Sequence, residues 1–157
     1  MSHPALTIHL QDAEATDQIA RALGQRLQVG DVVLLQGPVG AGKSHFARSL
    51  IRSLLKEPED VPSPTFTLVQ TYETVSGAIW HADLYRLSDI QEVEELGLVD
   101  AFETAICLIE WPDRLGTLTP ESALRIDLVN TDDPDERVLS AEWSDKKWEE
   151  RLEGWSA

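Results

Sequence analysis

The sequence predicts an α/β domain with a mixed parallel and antiparallel sheet of about seven strands and few helices. Three observations carry this expectation. The apolar run Val32-Val33-Leu34-Leu35 leads straight into the glycine-rich stretch "GPVGAGKS" (37–44), and an amphipathic segment follows. "AICLIEW" (105–111) is continuously apolar until its end, the mark of a strand buried on both faces. Most other short runs alternate apolar and polar residues between turn signals. At 157 residues the chain suits one domain with a real core, spanning 1–157, in which 131–157 reads as a hairpin and helix extension.

The elements follow in order. "ALTIHL" (5–10) alternates and reads as a strand. Asp12 is placed to cap a helix with Ile19, Ala20, Leu23 and Leu27 on one face. "QVGD" (28–31) is a turn before the strand at 32–36. In the helix expected over 44–56, Phe46, Leu50, Ile51, Leu54 and Leu55 keep helical spacing. "KEPEDVPSP" (56–64) is a proline- and acid-rich loop. "TFTLVQTYE" (65–73) and "AIWHADLY" (78–85) read as antiparallel partners across the turn "TVSG". One or two short helices are expected over 88–102, with Ser88 as cap and Gln91 completing a capping box. After the buried strand, "ALRIDLVN" (123–130) and "RVLSAEW" (137–143) form a hairpin across "TDDPDE". The end, "SDKKWEERLEGW" (144–155), reads as a polar helix with Trp148, Leu152 and Trp155 on its apolar side.

"GPVGAGKS" fits the spacing G-x-x-x-x-G-K-S of a phosphate-binding loop. Glycines let the backbone turn tightly and aim successive N–H groups into one hollow. The helix that begins there adds unpaired N–H groups and the positive end of its dipole. Lys43 then reaches the β- and γ-phosphates and the Ser44 hydroxyl binds Mg²⁺. The fold class expected is therefore a small single-domain P-loop NTPase. The nucleotide-contacting set is Gly37, Pro38, Val39, Gly40, Ala41, Gly42, Lys43, Ser44 and His45, with no particular role for His45.

Such a loop needs an acid at the end of a buried strand to hold the cation or its water. Glu110 ends one apolar run and Asp83 another. The expected catalytic set is Lys43, Asp83 and Glu110, and the expected metal set Ser44, Glu110 and Asp83. Spacing does not order the two acids. Ser63 and Thr65 lie in a loop that prolines 62 and 64 stiffen, where a γ-phosphate sensor often sits. Trp111 is either core or a flat surface against nucleotide or partner, and His81 reads as a core histidine.

Bulk properties narrow the function. The chain has 13 Lys plus Arg against 28 Asp plus Glu, a net charge of −15. Apart from Lys146-Lys147 its basic residues are scattered, which argues against gripping RNA or DNA unaided. A basic protein partner suits it better. No apolar stretch nears the ~20 residues of a membrane span. "MSHPALTIHL" lacks the marks of a signal peptide and Cys107 is the sole cysteine, so a cytoplasmic location is expected. A guanine-reading N-K-x-D run is absent, and no arginine-bearing lid of a small-molecule kinase is evident.

Three further blocks, "SPTFTLV" (63–69), "HADLYRL" (81–87) and "LIEWPDRL" (108–115), follow the loop in order. With them the chain resembles the TsaE family, formerly called YjeE, over roughly residues 8–130. The resemblance implies a small bacterial P-loop ATPase, with ATP and Mg²⁺ as cofactors. It implies a role in forming N6-threonylcarbamoyladenosine at position 37 of tRNAs that read ANN codons. It implies docking on the complex of TsaD with TsaB, resetting that complex, with tRNA held by the partners. Gly37, Gly40, Gly42, Lys43 and Ser44 match the family's phosphate loop. Ser63, Pro64 and Thr65 match its switch-like loop, and Asp83, Glu110 and Trp111 match its functional positions. Pro38 and Ser44 stand where many members have Asp and Thr, and Ala82 where Phe is common. A stand-alone kinase would instead transfer phosphate to a metabolite without a protein partner. A nucleotide-gated binding module would keep partner binding after Glu110→Ala.

Overall fold

The computed structural model describes residues 5–155 except Val39, Ser63 and 65–67. Seven strands form one sheet in the order β1-β7-β6-β2-β5-β4-β3. They are β1 (Ala5–Leu10), β2 (Val32–Gln36), β3 (Val69–Thr74), β4 (Gly77–Asp83), β5 (Ile106–Glu110), β6 (Leu124–Asn130) and β7 (Arg137–Glu142). The central four, β6, β2, β5 and β4, run parallel. Antiparallel pairs close both sides, β7 and β1 beyond β6 and β3 beyond β4. The expected mixed sheet is what forms.

β2 and β5 are buried on both faces because every position before their last residues, Gln36 and Glu110, is apolar. Val33 and Leu35 point into a core under helices α1 (Ala13–Gly24) and α2 (Lys43–Leu54), with Phe46, Leu50 and Ile51. Val32 and Leu34 point into a second core under α3 (Ile90–Glu95) and α4 (Leu98–Thr104), with Val93 and Leu98. Each such fully buried side chain contributes roughly 1.5–3 kcal/mol of transfer free energy. Asp12 caps α1 as expected, accepting from the Ala15 N–H at 2.8 Å.

Some boundaries differ from expectation, for local reasons. Asp89, not Ser88, caps α3 through the Glu92 N–H, while the Ser88 hydroxyl donates to the Glu92 carboxylate. β3 begins at Val69, since Leu68 adopts φ 68° and gives its N–H to Pro64 O rather than to a strand partner. The expected strand over 65–67 lies outside the described residues. β4 stops at Asp83, whose carboxylate bonds the Tyr85 N–H and turns the chain. Beyond Trp111 comes a 3-10 segment, Pro112–Leu118, which no periodicity announced.

The C-terminal helix α5 is only Lys147–Arg151. The tail wraps instead, burying Trp148, Leu152 and Trp155. The indole N–H of Trp148 donates to Ser122 O at 2.7 Å and that of Trp155 to Ile19 O at 2.9 Å. Asp31, fully buried before β2, accepts from Arg151 Nε at 2.7 Å and from the Gln28 N–H at 2.8 Å. Lys147 Nζ lies 3.0 Å from its other oxygen, close enough for Coulombic pairing though off the hydrogen-bond direction. Among the described residues, no helix is long and apolar enough to cross a membrane.

Candidate functional site

The site forms where the parallel strands end. After β2 the chain passes through Gly37, Gly40 and Gly42 at φ 138°, 85° and 95°, a region that favours glycine. At Gly37 space also demands glycine, because a Cβ there would stand 2.2 Å from Leu128 O. Gly42 then starts α2 with no side-chain cap, so the first N–H groups of the helix lack both intrahelical and capping partners. The Lys43 ammonium rests on Gly37 O at 2.6 Å and 3.6 Å from the centroid of the Trp111 ring. Burial holds it below the usual lysine range, and Glu110, Asp83 and Asp113 pull it partly back.

Strand alternation brings the acids to the same place. Ile79, His81 and Asp83 leave β4 toward α2, as Ile106, Leu108 and Glu110 leave β5. The parallel register sets Asp83 beside Glu110. Ser44, in the first turn of α2, donates its hydroxyl toward Glu110, 2.9 Å from Oε1 and 3.2 Å from Oε2. His81 Nε2 lies 2.7 Å from Glu110 Oε2. Asp83 and Glu110 are both almost fully buried, at 5% and 2% exposure, too little for ordinary surface carboxylates.

Trp111 leaves β5 at φ 58° and ψ 55°, a costly conformation for a bulky side chain. Its half-buried ring meets the exposed Tyr85 at 4.9 Å between centroids, so it is partly core and partly the floor under Lys43. A cavity of about 420 Å³ opens here, lined by Gly40, Gly42, Lys43, Ser44, His45, Asp83, Tyr85, Glu110 and Trp111. The structure thus gathers Lys43, Ser44, Asp83, Glu110 and Trp111, which lie up to 68 positions apart in sequence. Gly37, Pro38 and Ala41 shape the loop without lining the cavity. Val39, Ser63 and Thr65 lie outside the described residues.

Two residues at the site were not singled out from sequence. Tyr85 follows Asp83 by two positions within "HADLYRL", and an aromatic just past a strand end was the available signal. Arg137 approaches from the β6–β7 hairpin, its guanidinium 3.4 Å from Gly40 O. No local pattern announces that contact, since it joins positions 97 residues apart.

A nucleotide with its cation fits these residues. The glycine cradle is open around Gly40 and Gly42, where an added Cβ would meet nothing within 4 Å. A cationic side chain, a helix start and a hydroxyl paired with a carboxylate face the same hollow.

Comparison with known proteins agrees with this architecture. The family described as "Threonylcarbamoyl adenosine biosynthesis protein TsaE" matches residues 10–150. A tRNA threonylcarbamoyladenosine biosynthesis protein TsaE from Rickettsia bellii is 39% identical, over 83% of this chain and 90% of that one. One from Aquifex aeolicus is 40% identical over 67% of this chain and 75% of its own. The crystal structure of Bacillus subtilis YdiB superposes with a TM-score of 0.82 at 26% identity, covering 99% of this chain and 97% of the other. The chain belongs to the TsaE family of tRNA threonylcarbamoyladenosine biosynthesis proteins.

Proposed function

We propose that this chain is a Mg²⁺-dependent ATPase that binds and resets the TsaD–TsaB transferase complex during threonylcarbamoyladenosine formation at position 37 of tRNA. The single observation that carries the reading is the Ser44–Glu110 pair at the start of α2. A hydroxyl and a carboxylate meet there beside Lys43, which supports a site for a phosphate-bound cation. Mg²⁺ usually takes one or two protein oxygens plus phosphate and water. That habit suits this donor set: among the described residues no group of three or more His, Cys, Asp or Glu stands ready to hold a metal alone.

The residues divide the work. The glycine loop and the N–H groups opening α2 bind the phosphates, with Gly37, Pro38 and Ala41 shaping the loop, His45 beside it, and Val39 counted among the nucleotide-contacting residues. Lys43 exchanges Gly37 O for the β- and γ-phosphates, where its charge offsets the one that builds on the transferred group. Ser44 and Glu110 hold the cation; Glu110 takes this role rather than Asp83 because only it meets the Ser44 hydroxyl among the described contacts. The cation, when bound, would supply charge neutralisation for the nucleotide's phosphates. Asp83, one strand away, orients the attacking water. Thr65 senses the γ-phosphate, and Trp111 floors the site. tRNA is held by the partners, which suits a chain of net charge −15. The reaction belongs in the cytoplasm.

The test is ATP turnover with Mg²⁺, alone and with added TsaD–TsaB complex, using Lys43→Ala as the blank. The expected result is weak turnover alone, a rise with the complex and loss in the variant. Turnover that ignores the complex would remove the partner from the reading, and phosphate transfer to a metabolite would replace it with a kinase.

A further inference from the structure

His81 lies two residues before Asp83, on the same face of β4, and is 1% exposed. On that face Ile79 precedes it and Leu108 stands opposite it on β5, while Gln70 stands opposite it on β3. An aliphatic residue would pack against Ile79 and Leu108 without the cost of burying a polar ring. The ring makes one described contact, Nε2 to Glu110 Oε2 at 2.7 Å, while Nδ1 has no described partner. An ionised carboxylate only accepts, so Nε2 carries the hydrogen in this pair.

Glu110 is therefore held at both oxygens, Oε2 by His81 and Oε1 by Ser44. The torsion that rotates a glutamate carboxylate is soft, with broad and roughly two-fold preferences. Ser44 alone contacts both oxygens, at 2.9 and 3.2 Å, and so leaves that rotation loosely set. The imidazole is anchored in the sheet and fixes it. Partners behind a ligand orient it in the same manner in many metal sites.

We infer that His81 is a positioning residue that locks the Glu110 carboxylate in the plane from which it and Ser44 serve the nucleotide's cation. This rests on the nucleotide-binding reading above. Its test is calorimetric titration of the full chain with a non-hydrolysable ATP analogue, with and without Mg²⁺. Wild type, His81→Leu and His81→Gln are compared. In wild type Mg²⁺ raises the affinity. In His81→Leu that gain falls about 10–100-fold while Mg²⁺-free binding stays. His81→Gln, which carries an N–H to about the same place, restores most of the gain. Should the leucine variant not fold by circular dichroism, His81→Asn replaces it, because its amide is polar but too short to reach Glu110. A leucine or asparagine variant that keeps the whole Mg²⁺ gain overturns the role of His81 and leaves the nucleotide reading standing. Equal losses with and without Mg²⁺ show mere structural support and overturn it too. A wild type that binds no analogue overturns the nucleotide reading and this inference together.

Discussion

Gly37, Gly40 and Gly42 share a positive φ but not the same space, so alanine at each separates conformational strain from collision. A residue with a Cβ forced into left-handed backbone costs roughly 1–2 kcal/mol. Alanine also stiffens the unfolded chain, which returns about 0.4–1 kcal/mol. At Gly40 and Gly42 an added Cβ meets nothing within 4 Å, so these two terms are all that act. The net loss there is about 0–1.6 kcal/mol. At Gly37 the Cβ would stand 2.2 Å from Leu128 O, so β6 or the loop must move by about 1 Å. Overpacking of this sort adds about 1–3 kcal/mol on top of that, giving a net loss of about 1–4.6 kcal/mol at Gly37. With a urea slope near 2 kcal/mol per molar, the midpoint should fall about 0.5–1.5 M further for Gly37→Ala than for the other two variants. It should fall by about 0.8 M or less for Gly40→Ala and Gly42→Ala. The assay is urea unfolding followed by far-ultraviolet circular dichroism, with slopes compared to confirm the same transition. Equal midpoints for the three variants would refute the reasoning, because they would show that the Leu128 carbonyl does not crowd the loop.

Asp31→Asn should cost about 2–4 kcal/mol in urea unfolding, since it leaves Arg151 and Lys147, at 18% and 25% side-chain exposure, without their buried counter-charge. The loss should persist at high salt, because a buried pair is little screened. Cys107 predicts a pH dependence: burial pushes its thiol up to about 12 from 9.0, so the unfolded chain loses the proton first. Its stabilising contribution is whole below pH 9.0 and is lost as pH rises toward about 12, reaching roughly 1.4 kcal/mol of loss by pH 10. Urea midpoints measured across that range should fall less steeply in Cys107→Ala, and parallel slopes would contradict the burial argument.

What could be read from sequence was what depends on near neighbours. The continuous apolar runs at 32–35 and 105–109 announced two central strands, because a strand covered on both faces has no position left for a polar side chain. The glycine–lysine spacing announced the loop, because its backbone demands are local. Contacts across the chain carried no such signature. The Asp31 cluster joins positions up to 120 residues apart, and that closure, not helical propensity, sets the path of the tail past Arg151. Trp111 gives no residue-type warning of its left-handed backbone, which only the turn from β5 into Pro112 requires. The Ser44–Glu110 contact was equally hidden, for both acids end apolar strands and the contact joins positions 66 residues apart. His81 is the instructive middle case. A lone histidine in a strand reads as core, and burial bears that out. Yet a period of two, counted back from Asp83, already put it on the face where the acids meet. Once two carboxylates are placed on one face of a sheet, a polar residue two positions deeper has few partners but them. The same count applies to any buried polar residue that precedes an acid at a strand end.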